Sequence, residues 1–374
     1  MRALYFSRDY TTHDRRFLAR LVDSPHQIWY LRLENDGMGY EARPVPEGAR
    51  ELIWRGGTSR QNTPDHWLRL MPHFEAVLNE LRPDLIHAGP VQSCGFMAAL
   101  SGFRPLLLMS WGADILVDAH RDEFWRWMTL YTLRHADLFL CDCAEVSARA
   151  QQLAAFPVNR IVQFPWGIDL ESFAPGPDAA GLRARLGWEH AFVVISTRSW
   201  EKQYGVEVLL EAFRRAHAIH SRVKLLLLGD GALAPAVRRF ITDHRLSGAV
   251  HTPGLVPHTG LPDYFRSADL YASCAHSDGT SISLLEAMAT GLPLVLTDRP
   301  SNREWVLHGE NGWLARSGDT ESFARLIVQA VDLDPACREA MSRANRRLAE
   351  QRADWHVNSA HLLGAYERLA IPHG

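Results

Sequence analysis

The chain has 374 residues, of which 47% are hydrophobic and 22% charged, and its formal net charge is −3. This composition is typical of a globular protein and excludes an overall basic nucleic-acid-binding protein. At roughly 100 to 200 residues per domain, the length predicts two domains. No apolar run reaches about 18 residues and the start shows no signal-peptide pattern, so we expect a cytoplasmic protein.

The cysteines and histidines give no sign of a disulfide framework or a metal centre. The cysteines include no C-x-x-C pair, so we expect buried thiols. The histidines show no H-x-x-x-H spacing, so we assign no metal and no cofactor. The cysteines are Cys94, Cys141, Cys143, Cys274 and Cys337.

Short apolar runs alternate with longer segments of helical periodicity along the chain. The runs are ALYF, LIHA, PLLLMS and DLFLC in the first half, and FVVIS, KLLLLGD, DLYAS and PLVLT in the second. Strands that are buried on both faces have this continuous apolar character, so the pattern predicts an α/β fold with two doubly wound parallel sheets.

A stretch rich in Pro and Gly, residues 163–181, interrupts the alternation. We therefore predict a first domain over 1–168 and a second over 169–353, with a cleft between them. The amphipathic segment at about 354–374 follows the second sheet, and we expect it to form one helix that can pack back on the first domain.

Two features of the first half each have two interpretations. His13 and Asp14 follow the first strand, where they can face an acceptor hydroxyl or belong to a helix cap at Thr11 or Thr12. The segment 123–139 mixes aromatic residues with Arg on a predicted helix, which fits either core packing or a membrane surface.

In open α/β sheets, ligands bind beyond the carboxyl ends of the strands. Arg198 and Lys202 follow FVVIS and suit a phosphate, although a solvated turn explains them equally well. The stretch 229–234, GDGALA, matches a dinucleotide-binding pattern, but no acidic residue follows about 20 positions later. We therefore expect Gly229 and Gly231 to permit a tight turn with a close backbone approach.

The stretch 276–291, HSDGTSISLLEAMATG, predicts a loop and a short helix that stops at Gly291. Thr280 or Ser281 can cap this helix, and its free amides favour an anion such as a diphosphate. Glu286 suits a ribose diol and Asp278 a sugar. The alternative is that Glu286 is a buried structural acid and Asp278 a turn residue.

At this point the chain resembles the retaining glycosyltransferases of family four, which have the GT-B fold of two Rossmann-like domains facing a cleft. The resemblance covers about residues 164–330. The sequence DGTSISLLEAMATGLPLVL is similar to the family motif, in which two Glu residues are separated by seven others. Further similar motifs are WGIDLESFAP, GDGALAPAVRR and SNREWVLHGENGWLA.

The resemblance implies a donor site in the second domain. Glu286 matches the Glu that binds the donor ribose, Asp278 the Glu against the donor sugar, and Arg198 the Arg after the first strand of that domain. Residues implied to line the diphosphate, sugar and base are Gly279, Thr280, Ser281, Ile282, Gly254, Leu255 and Val256.

Three positions depart from the family pattern. Tyr204 occupies the position at which the family pattern has a Lys, so Lys202 is only a plausible substitute for that cation. The H-G-x-D motif of the first domain reads WGAD, with Trp111 in place of His and Asp114 retained. The glycine pair after the first strand is missing. We assign His13, Asp14, Trp111 and Asp114 to the acceptor and sugar side.

The resemblance implies a retaining hexosyltransferase that acts in cell-surface glycan or glycoconjugate synthesis. A nucleoside diphosphate sugar donates its hexose to an acceptor hydroxyl, and we expect no metal to take part. The catalytic candidates are Asp278, Arg198 and Lys202. Expected partners are these substrates and no nucleic acid, with contact at the inner membrane face as one interpretation. The alternatives are a catalytically silent sugar-nucleotide-binding module and a GT-B epimerase or phosphorylase.

Overall fold

The structure is a computed structural model that describes residues 1–34, 41, 43–56 and 63–370. The chain divides into two compact units, Met1–Pro165 with His356–Gly374, and Trp166–Trp355. The first division falls three residues before the expected end of the first domain at 168. Each unit is an α/β fold built on one parallel sheet.

The first unit has a seven-stranded parallel sheet in the order β3-β2-β1-β4-β5-β6-β7. Its strands are β1 (Arg2–Ser7), β2 (Gln27–Arg32), β3 (Ala49–Leu52), β4 (Leu85–Gly89), β5 (Leu106–Met109), β6 (Leu138–Cys141) and β7 (Ile161–Gln163). Its first helices are α1 (Thr12–Val22), α2 (Pro64–Leu81), α3 (Phe96–Leu100), α4 (Ala113–Leu116), α5 (Glu123–His135) and α6 (Ala144–Ala154).

The second unit has a six-stranded parallel sheet in the order β10-β9-β8-β11-β12-β13. Its strands are β8 (Phe192–Ser196), β9 (Val223–Leu227), β10 (Val250–His251), β11 (Leu270–Ser273), β12 (Leu294–Thr297) and β13 (Gly312–Ala315). Its helices are α7 (Leu182–Leu186), α8 (Val206–Ile219), α9 (Ala234–Asp243), α10 (Leu261–Arg266), α11 (Ile282–Ala289), α12 (Pro300–Arg303), α13 (Thr320–Val331) and α14 (Pro335–Arg352).

The expected single helix at the end of the chain is interrupted. It consists of α15 (Trp355–Asn358) and α16 (Ala360–Ala370), separated by Ser359. The Ser359 hydroxyl donates to the carbonyl of His356, a local bond that competes with the helical ladder. Helix α16 belongs to the first unit, where the Tyr366 hydroxyl lies 3.0 Å from Nδ1 of His87 in β4.

The central strands of each sheet are buried on both faces. In β8, Phe192 and Val194 join one apolar cluster, whereas Val193 and Ile195 join another. Successive side chains of a strand point to opposite faces, so a strand between two helical layers must be apolar throughout. This requirement explains why the apolar runs of the sequence predict the strands.

The cysteines are free thiols, and Cys337 is exposed whereas the other four are buried. The expectation of buried thiols is therefore wrong for Cys337. Within the described ranges, none of the helices combines the length and the apolar character that a bilayer crossing requires. In the same ranges, His, Cys, Asp and Glu side chains form no group of three or more that could hold a metal ion.

Candidate active site

The strand order of the second sheet reverses between β8 and β11. From β8 the chain moves outward to β9 and β10 on one side, and then returns to β11 and β12 on the other. In doubly wound folds, the carboxyl ends of the two strands at such a switch point form the ligand-binding crevice. Arg198 follows β8, and Asp278 follows β11.

Arg198 and Asp278 form an ion pair at this switch point. Nη2 of Arg198 lies 2.7 Å from Oδ2 of Asp278, and both side chains are largely buried. Burial alone would lower the pKa of Arg198, but the Asp278 carboxylate raises that pKa above the ordinary value for arginine. Burial raises the pKa of Asp278, a shift that Arg198 and the Gly279 amide oppose. The pair is therefore a charged, partly desolvated unit.

Two serines hold the other side of the Arg198 guanidinium. Nη1 donates to Oγ of Ser281 over 2.7 Å, and it lies 3.3 Å from Oγ of Ser283. The Ser283 hydroxyl in turn contacts Ser281 over 2.9 Å and the Tyr271 hydroxyl over 2.8 Å. The site thus contains a connected network of hydroxyl groups around one guanidinium.

The start of α11 differs from the expected capping. Ser281 occupies the N-cap position, but its side chain makes no capping bond to the helix. Its hydroxyl accepts from Arg198 instead, because a bond from a charged donor is stronger than one from a backbone amide. Thr280 and Gly279 precede this position and are buried, and Ile282 is the first helical residue.

The turn that follows β8 places Tyr204, and not Lys202, against Arg198. The Arg198 guanidinium carbon lies 4.2 Å from the centre of the Tyr204 ring, within the range of a cation–π contact. Lys202 is exposed on the same turn. In the described part of the chain, no ion pair involves Lys202. The structure therefore does not place the substitute cation beside Arg198.

Glu286 is buried on α11 and has a histidine partner. Its Oε1 lies 3.3 Å from Nε2 of His258, which begins a short 3₁₀ turn at residues 258–260. The ring of Phe173 packs edge-on against His258 at 5.4 Å. His258 was not among the predicted site residues, because a single histidine after Pro257 carries no spacing signal.

Two glycines behave as the sequence predicts. The backbone at Gly229 has φ +109°, and a Cβ there would lie 2.8 Å from the carbonyl of Arg198. At Gly231 a Cβ would lie 2.7 Å from the carbonyl of Trp200. The GDGALA stretch therefore permits a close approach to the backbone that carries Arg198.

The implied base-binding loop is joined to the same turn. The amide of Gly229 donates to the carbonyl of Gly254 over 2.9 Å. Leu255 is 51% exposed, an unusual position for a large apolar side chain, whereas Val256 packs partly against the core. An exposed leucine between two anchored residues offers an apolar surface to a planar ring.

In the first unit, Asp14 belongs to a helix cap. Thr11 and Asp14 form a capping box at the start of α1, and Asp14 also accepts from the Tyr5 hydroxyl over 3.0 Å. Burial raises the pKa of Asp14 to about 6, against the lowering effect of these bonds. Of the two interpretations left open by the sequence, the structure shows the cap, so Asp14 is not presented to an acceptor.

The other first-unit candidates separate into a ring pair and a buried acid. The rings of His13 and Trp111 lie 5.1 Å apart. Asp114 is buried and accepts from the hydroxyl of Ser110 and from the amides of Val91 and Ile115. Asp114 therefore fixes the turn after β5, whereas His13 and Trp111 are only partly buried.

Each of the two units matches a glycosyltransferase family model. Residues 181–348 match the family model described as glycosyl transferases group 1, and residues 47–143 match the model described as glycosyl transferase 4-like. The second unit contains the group 1 match, and the first unit contains the 4-like match.

Two mycobacterial relatives are similar in sequence. The GDP-mannose-dependent alpha-(1-6)-phosphatidylinositol monomannoside mannosyltransferase of Mycolicibacterium smegmatis is 25% identical over 85% of this chain and 87% of its own length. The phosphatidyl-myo-inositol mannosyltransferase of Mycobacterium leprae is 31% identical over 60% of this chain. That alignment spans 57% of the leprae protein, so the chain covers little more than half of this relative.

Solved structures share the fold over nearly the whole chain. HepE of Anabaena in complex with UDP-glucose has a TM-score of 0.83 at 20% identity and covers 99% of this chain and 100% of its own. WaaG, a glycosyltransferase involved in lipopolysaccharide biosynthesis, has a TM-score of 0.77 at 14% identity and covers 99% and 100%. The chain therefore belongs to the glycosyltransferases, with a group 1 domain and a glycosyl transferase 4-like domain, and it has the GT-B fold.

Proposed function

We propose that this protein is a retaining hexosyltransferase that takes a hexose from a nucleoside diphosphate sugar and attaches it to an acceptor hydroxyl. The observation that carries the proposal is the Arg198–Asp278 pair at the switch point of the second sheet, beside the start of α11. A guanidinium and free helix amides suit a diphosphate, and a neighbouring carboxylate suits sugar hydroxyls.

The donor is proposed to bind through its ribose, diphosphate and sugar. Glu286 accepts from a ribose hydroxyl through the oxygen that His258 leaves available, and Leu255 contacts the base. The amides at Ser281 and Ile282, with Arg198, hold the diphosphate. Asp278 accepts from a hydroxyl of the hexose. The proposed acceptor side, in the first unit, includes the rings of His13 and Trp111.

The proposed reaction breaks the bond between the anomeric carbon and the diphosphate oxygen. The acceptor oxygen forms the new bond on the same face, and its proton passes to an oxygen of the departing diphosphate. Arg198 stabilises the negative charge that grows on this diphosphate, which is a contribution made in the transition state. Asp278 is ion-paired with Arg198, a state that disfavours a role as covalent nucleophile.

Product analysis after incubation with a panel of nucleotide sugars tests the proposal. UDP-glucose and GDP-mannose belong in the panel, because HepE of Anabaena binds UDP-glucose and the Mycolicibacterium smegmatis relative is GDP-mannose-dependent. A new glycoside with the anomeric configuration of the donor supports the proposal. An altered sugar nucleotide indicates an epimerase, and sugar phosphate formation indicates a phosphorylase. Binding without any product indicates a silent binding module.

We also propose that α5 contacts an anionic membrane surface. Its inner face is buried through Met128, Thr129 and Leu133, so the core-packing interpretation holds for that face. Its outer face exposes Phe124 by 45% and Trp127 by 47%, with their rings stacked at 5.6 Å. Exposed aromatic residues that lie beside arginines are typical of helices at a membrane interface. The exposed arginines are Arg126 and Arg134.

Sedimentation with phosphatidylglycerol vesicles tests this contact. A variant with Phe124→Ser and Trp127→Ser is expected to pellet less than the unmodified protein. Ile219→Ser is the matched control, because Ile219 is an exposed apolar residue of the second unit. Equal pelleting of all three proteins contradicts the proposal.

A further inference from the structure

Tyr204 lies at a position that the rest of the second unit fixes. It ends the 3₁₀ turn Lys202–Tyr204, and the next residue, Gly205, has φ +62°. A Cβ at Gly205 would lie 2.2 Å from the carbonyl of Cys274, so only glycine fits there. The amide of His276 donates to the carbonyl of Gln203 over 2.8 Å. Two backbone approaches thus join this turn to the loop after β11.

The Arg198 guanidinium is held on three sides as a result. Its central carbon lies over the Tyr204 ring, 4.2 Å from the ring centre, and its two terminal nitrogens are bonded to Asp278 and to Ser281. The carboxylate and the hydroxyl fix the guanidinium within its plane. They do not prevent it from moving out of that plane, and the Tyr204 ring, which lies beneath the central carbon, limits movement towards that side.

We infer that Tyr204 is a positioning residue that holds Arg198 in the donor site, in place of the second cation that the family pattern has at this register. The inference rests on the proposed function, because it assigns Arg198 to the donor diphosphate. A ring face attracts a guanidinium through its quadrupole, whereas a lysine here would repel it. In this inference the site uses one oriented cation where the family pattern has two.

A double-mutant cycle between Tyr204 and Arg198 tests the inference. Tyr204→Leu removes the ring, and Arg198→Lys removes the planar group that stacks on it. We expect Tyr204→Leu to lower kcat by about three- to thirty-fold, the range of a partly desolvated cation–π contact, with a smaller change in KM. In the Arg198→Lys background, the same substitution is expected to have little further effect.

Two further variants separate positioning from general packing. Tyr204→Phe keeps the ring and is expected to recover most of the lost turnover. Tyr204→Lys restores the cation of the family pattern and is expected to lower kcat at least as much as Tyr204→Leu does. Phe240→Leu is the matched control, because it removes a half-buried ring near the far end of α9, where it stacks on His244.

The outcomes distinguish this inference from the proposed function. The cycle is measured both in thermal unfolding and in release of UDP or GDP from the corresponding donor. Coupling in unfolding and in kcat supports the inference, whereas coupling in unfolding alone, in an enzyme that turns over, overturns it. Independent effects of the two substitutions also overturn it. If no donor is turned over, the proposed function fails, and the coupling measured in unfolding then decides whether Tyr204 holds Arg198: independent effects of the two substitutions overturn that contact.

Discussion

Nη2 of Arg198 lies 2.7 Å from Oδ2 of Asp278, so the guanidinium of the candidate donor site is already neutralised by a carboxylate of the same site. The pair gives Asp278 two effects of opposite direction. Its charge should oppose the binding of a bare diphosphate, whereas its carboxylate is the group proposed to accept from a sugar hydroxyl while Oδ2 stays paired with Arg198. This relationship determines what substitution of Asp278 should do.

We predict that Asp278→Asn strengthens the binding of a bare nucleoside diphosphate while it lowers sugar transfer. Loss of one negative charge leaves Arg198 uncompensated, which should raise affinity for UDP or GDP by about three- to ten-fold at low salt. The gain should shrink as salt is added. Titration calorimetry at two salt concentrations, together with a transfer assay, measures both effects.

The matched control for Asp278 is Asp298→Asn. Asp298 follows the neighbouring strand β12 and is paired with Arg303, but it is more exposed. Its substitution should leave nucleotide affinity and transfer unchanged. Weaker binding of the bare nucleotide to the Asp278→Asn variant contradicts the predicted role of the pair.

For Glu286, we predict that the Gln variant loses affinity only for a nucleotide that has a 2′-hydroxyl. A charge-assisted hydrogen bond is worth about 1.5 to 3 kcal/mol, so Glu286→Gln should weaken the binding of UDP or GDP by roughly ten-fold or more. The 2′-deoxy nucleotide should bind the unmodified protein weakly and should lose little more in the variant. Equal losses for both nucleotides mean that Glu286 acts through the fold, an outcome that a lower melting temperature would accompany.

Donor turnover is predicted to need no divalent metal. Arg198 and the first amides of α11 supply positive charge for the diphosphate, and the acid beside them, Asp278, is engaged by Arg198. Turnover should therefore be the same in EDTA and in added Mn²⁺ or Mg²⁺. Activity that disappears in EDTA and returns with Mn²⁺ would contradict this prediction.

We predict that the protein loses stability in acid because His87 is buried. Burial lowers its pKa to about 3, from 6.5 for an ordinary histidine. Below pH 6.5 the unfolded chain binds a proton that the folded chain does not, so unfolding becomes easier as the pH falls towards 3. The contribution reaches about 2 kcal/mol at pH 5.

A His87→Gln variant isolates the contribution of His87 to the pH dependence of stability. Its free energy of unfolding should fall less than that of the unmodified protein between pH 7 and pH 5. Asp14 acts in the opposite direction, because its raised pKa of about 6 favours the protonated folded state in acid. Since both proteins contain Asp14, the difference between them reports on His87. An identical pH dependence in the two proteins would contradict the prediction.

The fold could be predicted from the sequence because strands buried on both faces leave a continuous apolar signal. FVVIS and DLYAS are such runs, and they form β8 and β11. The residues after them, Arg198 and Asp278, could be placed at a sheet edge for the same reason. Their direct contact could not be predicted, because it depends on the order of the strands in the sheet and on side-chain rotamers.

Local competition explains the other differences. Ser281 has the sequence signature of a helix cap, but a guanidinium that is 83 positions away in the chain takes its hydroxyl. Asp14 has the position of a ligand-facing acid, but a threonine three residues before it supplies a capping partner. Sequence periodicity records the environment of a whole segment and does not record which of two partners a single polar group chooses.

The return of residues 356–370 to the first unit has a consequence for how the chain is made. Tyr366 meets His87 across 279 positions of sequence, and the whole second unit lies between them. During translation, the ribosome therefore releases the second unit before the helix that covers β4 exists. The second unit needs no later segment to complete it, whereas the first unit, whose last strand ends at Gln163, must wait for this helix. Aggregation during synthesis is thus a hazard of the first half of the chain, although that half emerges first.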